Sequence, residues 1–296
     1  MALMDYRRLM GVRSLPRGEG VRIAILDSGV PPPQVLGRMF GEMPSDDYAG
    51  YPDECGHATA IFSILIGGGP IQGLCENSCP VFVKVLDANG RGSVKSVVKG
   101  IYKAIDRGAD VINMSLGFIR TEKCPQELKI ACRTAYDMGK TVICAAGNDG
   151  GAVNWPAALE TTICVGSTDK NGTKNAFSSV GEVDFVAPGV DLPVFDLNGN
   201  LKKVSGTSFA TALVTGVVAL LVSRMRSSGM AYVGMDQVME VLQGFSRDVD
   251  APGWDENTGY GLIDGECIDP VDLKMKNGLF GIIWERILSF FKQKRS

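Results

Sequence analysis

His57 is the only histidine among the 296 residues. The chain therefore has one imidazole able to work as a general base near neutral pH. It stands in Cys55-Gly56-His57-Ala58-Thr59-Ala60. Upstream, the apolar run at 21–26 closes on Asp27-Ser28-Gly29. Downstream, Ser208 lies in Ser205-Gly206-Thr207-Ser208-Phe209-Ala210-Thr211, at the head of a long apolar segment. A serine hydroxyl is a weak nucleophile until a neighbouring base takes its proton. An imidazole does this well when a carboxylate fixes its tautomer and stabilises the imidazolium. Asp27, His57 and Ser208 thus form a candidate set for acyl transfer. Asn148 follows the apolar run at 142–146, and its side-chain amide could donate to the oxyanion that acyl transfer develops.

Each residue also has a plainer reading. Asp27-Ser28-Gly29 would serve as a turn or cap, and Ser208 as an ordinary helix N-cap. His57 could be a satisfied core histidine, and Asn148 a turn residue before Asp149-Gly150-Gly151. Context favours chemistry for the set as a whole. Asp27 ends a strand pattern, where open α/β sheets build their sites. Ser208 begins a helix pattern, where unpaired N–H groups favour developing negative charge.

The elements that must position these groups are legible as alternating patterns. Nearly continuous apolar runs predict strands at 21–27, 81–87, 110–116, 141–146, 161–166 and 183–187. Such runs suit parallel strands covered on both faces. Helical periodicity falls at 58–66, 93–106, 125–138, 208–226 and 235–243. Strand and helix in turn signal βαβ units around a parallel sheet. Glycine-rich joins such as Gly67-Gly68-Gly69-Pro70 separate them. The interrupted apolar run at 209–222 reads as a buried core helix.

Composition sets limits on the partners. With 45% hydrophobic residues, a chain of this length can bury a large single-domain core. A net charge of −3 and a pI near 5.4 give no electrostatic case for nucleic acid. No secretory signal is read in Met1-Ala2-Leu3-Met4-Asp5-Tyr6-Arg7-Arg8, and no run approaches the roughly 18 apolar residues of a membrane span. A cytoplasmic location follows as the expectation. The eight cysteines are then expected to be reduced, with no required disulfide. Cys75 and Cys79 could hold a metal only with two further ligands, so no metal is expected. Glycine-rich Gly67-Gly68-Gly69 lacks the spacing of a nucleotide-binding loop.

Residues 279–291 place apolar side chains at helical spacing ahead of Lys292-Gln293-Lys294-Arg295. One reading is a helix packed on the domain's own surface. The other is an amphipathic basic helix at 279–295 that meets a membrane surface or a partner. The organisation expected is a short N-terminal extension at 1–20, a catalytic domain at 21–270 and this tail at 271–296.

The segments Leu26-Asp27-Ser28-Gly29, Gly56-His57-Ala58-Thr59, Val111-Ile112-Asn113-Met114-Ser115-Leu116-Gly117, Ala145-Ala146-Gly147-Asn148, Val186-Ala187-Pro188-Gly189 and Ser205–Thr211 resemble the subtilisin-like serine peptidases (subtilases). The chain order Asp, His, Ser is that of subtilisin. The likeness runs from about Gly20 to about Gly265. It implies a three-layer α/β fold, a mostly parallel sheet with helices on both faces. Asp27 would be the orienting acid, His57 the base and acid, and Ser208 the nucleophile. Asn148 and the Ser208 N–H would make the oxyanion hole. Substrate, a peptide or protein in extended form, would lie as an added strand between Gly90-Arg91-Gly92 and Ser115-Leu116-Gly117. Asn154 aligns near the base of the pocket for the residue preceding the cleaved bond. Arg91 either selects an acidic substrate residue or is a solvated arginine on a glycine turn.

The sequence also departs from the family pattern. Ala58 and Ala60 stand where the family has Gly and a second His, Phe209 replaces a common Met, and Ala212 replaces a Pro. The long calcium-binding loop of many secreted members is shortened around Gly67–Gly73, so calcium is not supported and no cofactor is expected. The function implied is a serine endopeptidase forming an acyl-enzyme on Ser208, intracellular and engaged in processing or maturation. The alternative is a non-catalytic subtilase-like module that only binds peptides.

Overall fold

A computed structural model describes residues 4–40, 51–120, 123–230 and 233–267. The tail at 279–295 lies outside the described residues. The central feature of the described residues is an eight-stranded sheet. Its strands are β1 (Arg22–Asp27), β2 (Cys79–Lys84), β3 (Val111–Met114), β4 (Thr141–Ala145), β5 (Ile163–Thr168) and β6 (Phe185–Pro188). A hairpin, β7 (Leu192–Phe195) and β8 (Leu201–Val204), stands apart from it. The short strands β9 (Ser246–Arg247) and β10 (Leu262–Ile263) complete the sheet in the order β9-β10-β6-β5-β4-β3-β1-β2. Every neighbouring pair is parallel except β9 with β10.

Seven helices accompany the sheet in the described residues: α1 (Tyr6–Leu9), α2 (Pro33–Phe40), α3 (His57–Leu65), α4 (Val94–Asp106), α5 (Gln126–Asp137), α6 (Thr207–Ser227) and α7 (Met235–Gly244). Side chains alternate across a strand, and β1 divides them accordingly. Ile23 and Ile25 join the core shared with α3, α6 and α7, while Ala24 and Leu26 join the core shared with α4 and α5. Two apolar layers on one sheet make the fold three-layered. This is why the strand runs are apolar throughout rather than alternating.

The helix α6 is long and apolar enough to cross a membrane, yet 89% of its apolar window is buried inside the protein. It is a core helix. Gly216 lets it lie against Leu74, because a Cβ there would stand 2.7 Å from the Leu74 Cβ. The expected strand at 81–87 stops at Lys84, where the Val85 and Leu86 amides turn to the Asp27 carbonyl at 2.8 and 3.2 Å.

The expected extension at 1–20, described from Met4, packs into the domain. Tyr6, Met10, Val12 and Leu15 belong to the α6-side core. Arg7, only 3% exposed, donates to the carbonyls of Val12, Arg13, Leu15, Pro16 and Leu74. Nearby, the Gly265 amide donates to the Met10 carbonyl at 2.9 Å.

Candidate active site

The sheet order reverses at β1, since β2 lies on one side of it and β3 to β6 continue on the other. Crevices outside the carboxyl ends of strands form at such switch points. Asp27 is the last residue of β1, and Ser115 follows the end of β3. The chain leaving β2 supplies the opposite wall. Together they enclose a groove of about 720 Å³ lined by His57, Gly90, Arg91, Ser115, Leu116 and Ser208, among others. Both expected substrate segments, 90–92 and 115–117, contribute all their residues to this lining.

Asp27 is fully buried. Its two carboxylate oxygens lie 2.8 and 2.9 Å from His57 Nδ1, and the Ser28 amide donates to Oδ1 at 2.7 Å. His57 opens α3, whose remaining residues from Ala58 to Leu65 are buried and anchor the ring. The imidazole keeps 27% of its side-chain surface exposed and packs against Phe209, with ring centroids 5.7 Å apart. Burial opposes the charged ring, but the charge and hydrogen bond of Asp27 outweigh it. The His57 pKa is raised above its ordinary value.

Ser208 lies in the first turn of α6 and is 9% exposed. Its hydroxyl donates to the Ser115 carbonyl at 3.1 Å, and the Ser115 hydroxyl donates to the Ser208 carbonyl at 2.8 Å. Ser208 and His57 line the same groove, and no hydrogen bond joins them in this arrangement. Asn148 Oδ1 accepts from the Thr207 amide at 2.8 Å and from the Thr207 hydroxyl at 3.0 Å. Gly206, with φ 152°, brings the backbone close, since a Cβ there would stand 3.4 Å from Asn148 Nδ2.

Asn154 lies behind the 115–117 wall instead of on the groove lining. A Cβ on Gly117 would stand 3.0 Å from the Asn154 Cβ, and one on Gly147 would stand 2.5 Å from Asn154 Nδ2. Its Oδ1 is buried and has no hydrogen-bond partner among the described residues. The short hairpin of Gly67–Gly68 and Ile71–Gln72 presents no carboxylate. Among the described residues no group of three or more His, Cys, Asp or Glu gathers as metal ligands.

Sequence reasoning missed several groups at the site. Leu86 and Phe118 line the groove, and Asp53 and Ser28 stand behind the His57–Asp27 pair. Asp53 lies three residues ahead of Gly56, the N-cap of α3, so no capping signal in the sequence singles it out.

The profile of the subtilase family matches residues 18–261, and the chain belongs to that family of serine peptidases. It is 34% identical over 252 residues to the minor extracellular protease Epr of Bacillus subtilis (strain 168), covering 83% of this chain and 38% of that protein. Thermitase of Thermoactinomyces vulgaris is 34% identical over 239 residues, covering 78% of this chain and 85% of thermitase. The thermostable alkaline protease of Halalkalibacterium halodurans is matched over 59% of its length. The chain thus spans well under two thirds of some of these relatives. Among solved structures, a mutant of the protease domain of PatA has TM-score 0.72 at 25% identity, covering 86% of this chain and 96% of that one. A lanthipeptide protease, with TM-score 0.75 at 23% identity and coverage of 85% and 88%, shares the fold.

One expectation needs correction. The cytoplasmic location does not stand, because the chain's relatives include a protease named extracellular. The expectation rested on the absence of a readable signal in the first residues and of an apolar run of membrane length, and neither absence fixes a location.

Proposed function

We propose that this chain is a serine endopeptidase that cleaves extended peptides through an acyl-enzyme on Ser208. The observation that carries the reading is the buried Asp27 carboxylate bracketing His57 Nδ1 at 2.8 and 2.9 Å, beside a groove that also holds Ser208. With Nδ1 held by Asp27, the other ring nitrogen faces its task as a base. Rotation of the Ser208 side chain away from the Ser115 carbonyl brings its hydroxyl to that nitrogen. His57 takes the proton as Oγ attacks the peptide carbonyl, and the oxyanion is met by Asn148 Nδ2 and the Ser208 N–H. His57 then protonates the leaving amine, and water repeats the sequence to release the acid. No step calls for a cofactor.

The substrate lies as an extra strand between 90–92 and 115–117. Asn154 backs, from behind the 115–117 wall, the pocket for the residue before the cleaved bond. Arg91, exposed on its turn, is the side chain through which an acidic residue would be chosen. Site-selective processing of a polypeptide is the activity this groove would serve.

The test is labelling with a fluorophosphonate, wild type beside Ser208→Ala and His57→Ala, together with peptide hydrolysis. Labelling and turnover should be confined to the wild type. Loss of the nucleophile should cost on the order of 10⁶ in kcat, a magnitude measured in subtilisin, itself a subtilase. Full activity in Ser208→Ala would sink the mechanism, and tight peptide binding by a folded wild type without turnover would favour the binding-module alternative.

A further inference from the structure

Behind His57 lies a second buried carboxylate, that of Asp53, only 6% exposed. Its Oδ1 accepts from the Ser28 hydroxyl and the Gly56 amide, both at 2.8 Å, and from the Cys55 amide at 3.2 Å. Its Oδ2 accepts from the Thr59 amide at 2.8 Å and the Thr59 hydroxyl at 2.7 Å. These donors all come from the segment that presents His57 or from the residue next to Asp27. Gly56, the N-cap of α3, has φ 82° and no side chain to satisfy the first helical amides. From three residues upstream of it, Asp53 takes the Thr59 amide, and Ser28 takes the Ala58 amide.

Ser28 joins the two carboxylates. Its hydroxyl oxygen accepts from the Ala58 amide at 3.0 Å. Its single proton has two candidate acceptors, Asp53 Oδ1 at 2.8 Å and Asp27 Oδ1 at 3.1 Å. By distance Asp53 is the better acceptor. Asp27 then keeps its lone pairs for the Ser28 amide and for His57 Nδ1.

We propose that Asp53 is a positioning residue for the triad, fixing Asp27 against His57 through Ser28 and the first turn of α3 and lending its charge to the imidazolium. The inference rests on the reading of Asp27, His57 and Ser208 as that triad. Burial alone would raise the Asp53 carboxyl, but bonds from Thr59, Ser28 and Gly56 bring it below its ordinary pKa, so it is ionised at neutral pH. The charges facing His57 are Asp27 and Asp53, which favour the protonated ring, and Lys202 from the β7–β8 hairpin, which opposes it.

Because His57 is the only histidine, its titration can be followed by NMR of the imidazole protons without any assay of activity. Wild type, Asp53→Asn and Ser28→Ala are compared by this titration, by kcat and KM for a peptide substrate, and by Tm. Removing the Asp53 charge should lower the His57 midpoint by roughly 0.5 pH unit. Loosened geometry should cut kcat about tenfold, with KM within about twofold. Ser28→Ala leaves the bonds from Asp53 to Gly56 and Thr59 in place, so it should fold and lose about threefold in kcat at unchanged KM. An unmoved midpoint in Asp53→Asn overturns the proposal. If that variant fails to fold, unchanged kcat in Ser28→Ala overturns it instead. A wild type that neither hydrolyses peptide nor takes the fluorophosphonate would sink the peptidase reading, while the titration would still decide the role of Asp53.

Discussion

The side-chain oxygen of Asn148 accepts two hydrogen bonds from Thr207, from its amide at 2.8 Å and from its hydroxyl at 3.0 Å. One residue thereby orients the other. With the oxygen committed to the start of α6, the amide N–H pair of Asn148 must face the opposite way, across Gly206. Asn148→Asp retains the acceptor and removes the donor. It should leave Tm nearly unchanged and lower kcat by roughly 10²–10³, the range measured for loss of the oxyanion asparagine in subtilisin, a member of this family. A kcat within about twofold of wild type would remove Asn148 from the mechanism.

The pH dependence of kcat/KM follows from the His57–Asp27 pair. A general base must be neutral, and the His57 pKa lies above 6.5 because Asp27 offsets the effect of burial. The acid limb should therefore have its midpoint above pH 6.5. The same pair stabilises the fold in full below that pH. This contribution fades as pH rises through the folded-state pKa. A midpoint at or below 6.5 would contradict the geometry.

Asp184 supplies an opposite case among the carboxylates. Burial pushes its pKa up to about 6, against a lowering bond from the Cys164 amide at 2.7 Å. Unfolding releases its proton near 3.8, so the folded state holds that proton more tightly between these values. Its contribution to stability should fall by about 2 kcal/mol as pH rises from 4 to 7. Asp184→Asn should gain on wild type over that interval in chemical denaturation. A gap between the two that stays constant with pH would exclude this linkage.

Arg7 is expected to be a major fastener of residues 4–18. Its guanidinium donates to five carbonyls, and Arg7→Met would leave those acceptors without their charged donor. A loss of about 3–5 kcal/mol is expected, with new cleavage sites in 4–18 on limited proteolysis. Unchanged unfolding midpoints would show that apolar contacts of Tyr6 and Met10 suffice.

Much of the frame was legible because continuous apolar runs must be strands buried on both faces. The hairpin β7–β8 was not, since Leu201, Lys202 and Lys203 are exposed and leave no apolar pattern to read. The groove's two walls could be named from resemblance. Leu86 and Phe118 could not, because their place depends on how the chain bends after leaving β2 and β3. Asp53 illustrates a different limit. It stands three residues before the N-cap Gly56, where no capping signal is read, and its link to Asp27 runs through Ser28 and exists only when β1 and α3 are packed together.

The bond between the Gly265 amide and the Met10 carbonyl has a mechanical consequence. Positions 10 and 265 are neighbours in space, so the polypeptide between them traces a closed circuit. Tension applied through those two positions would load this seam first and the sheet only afterwards.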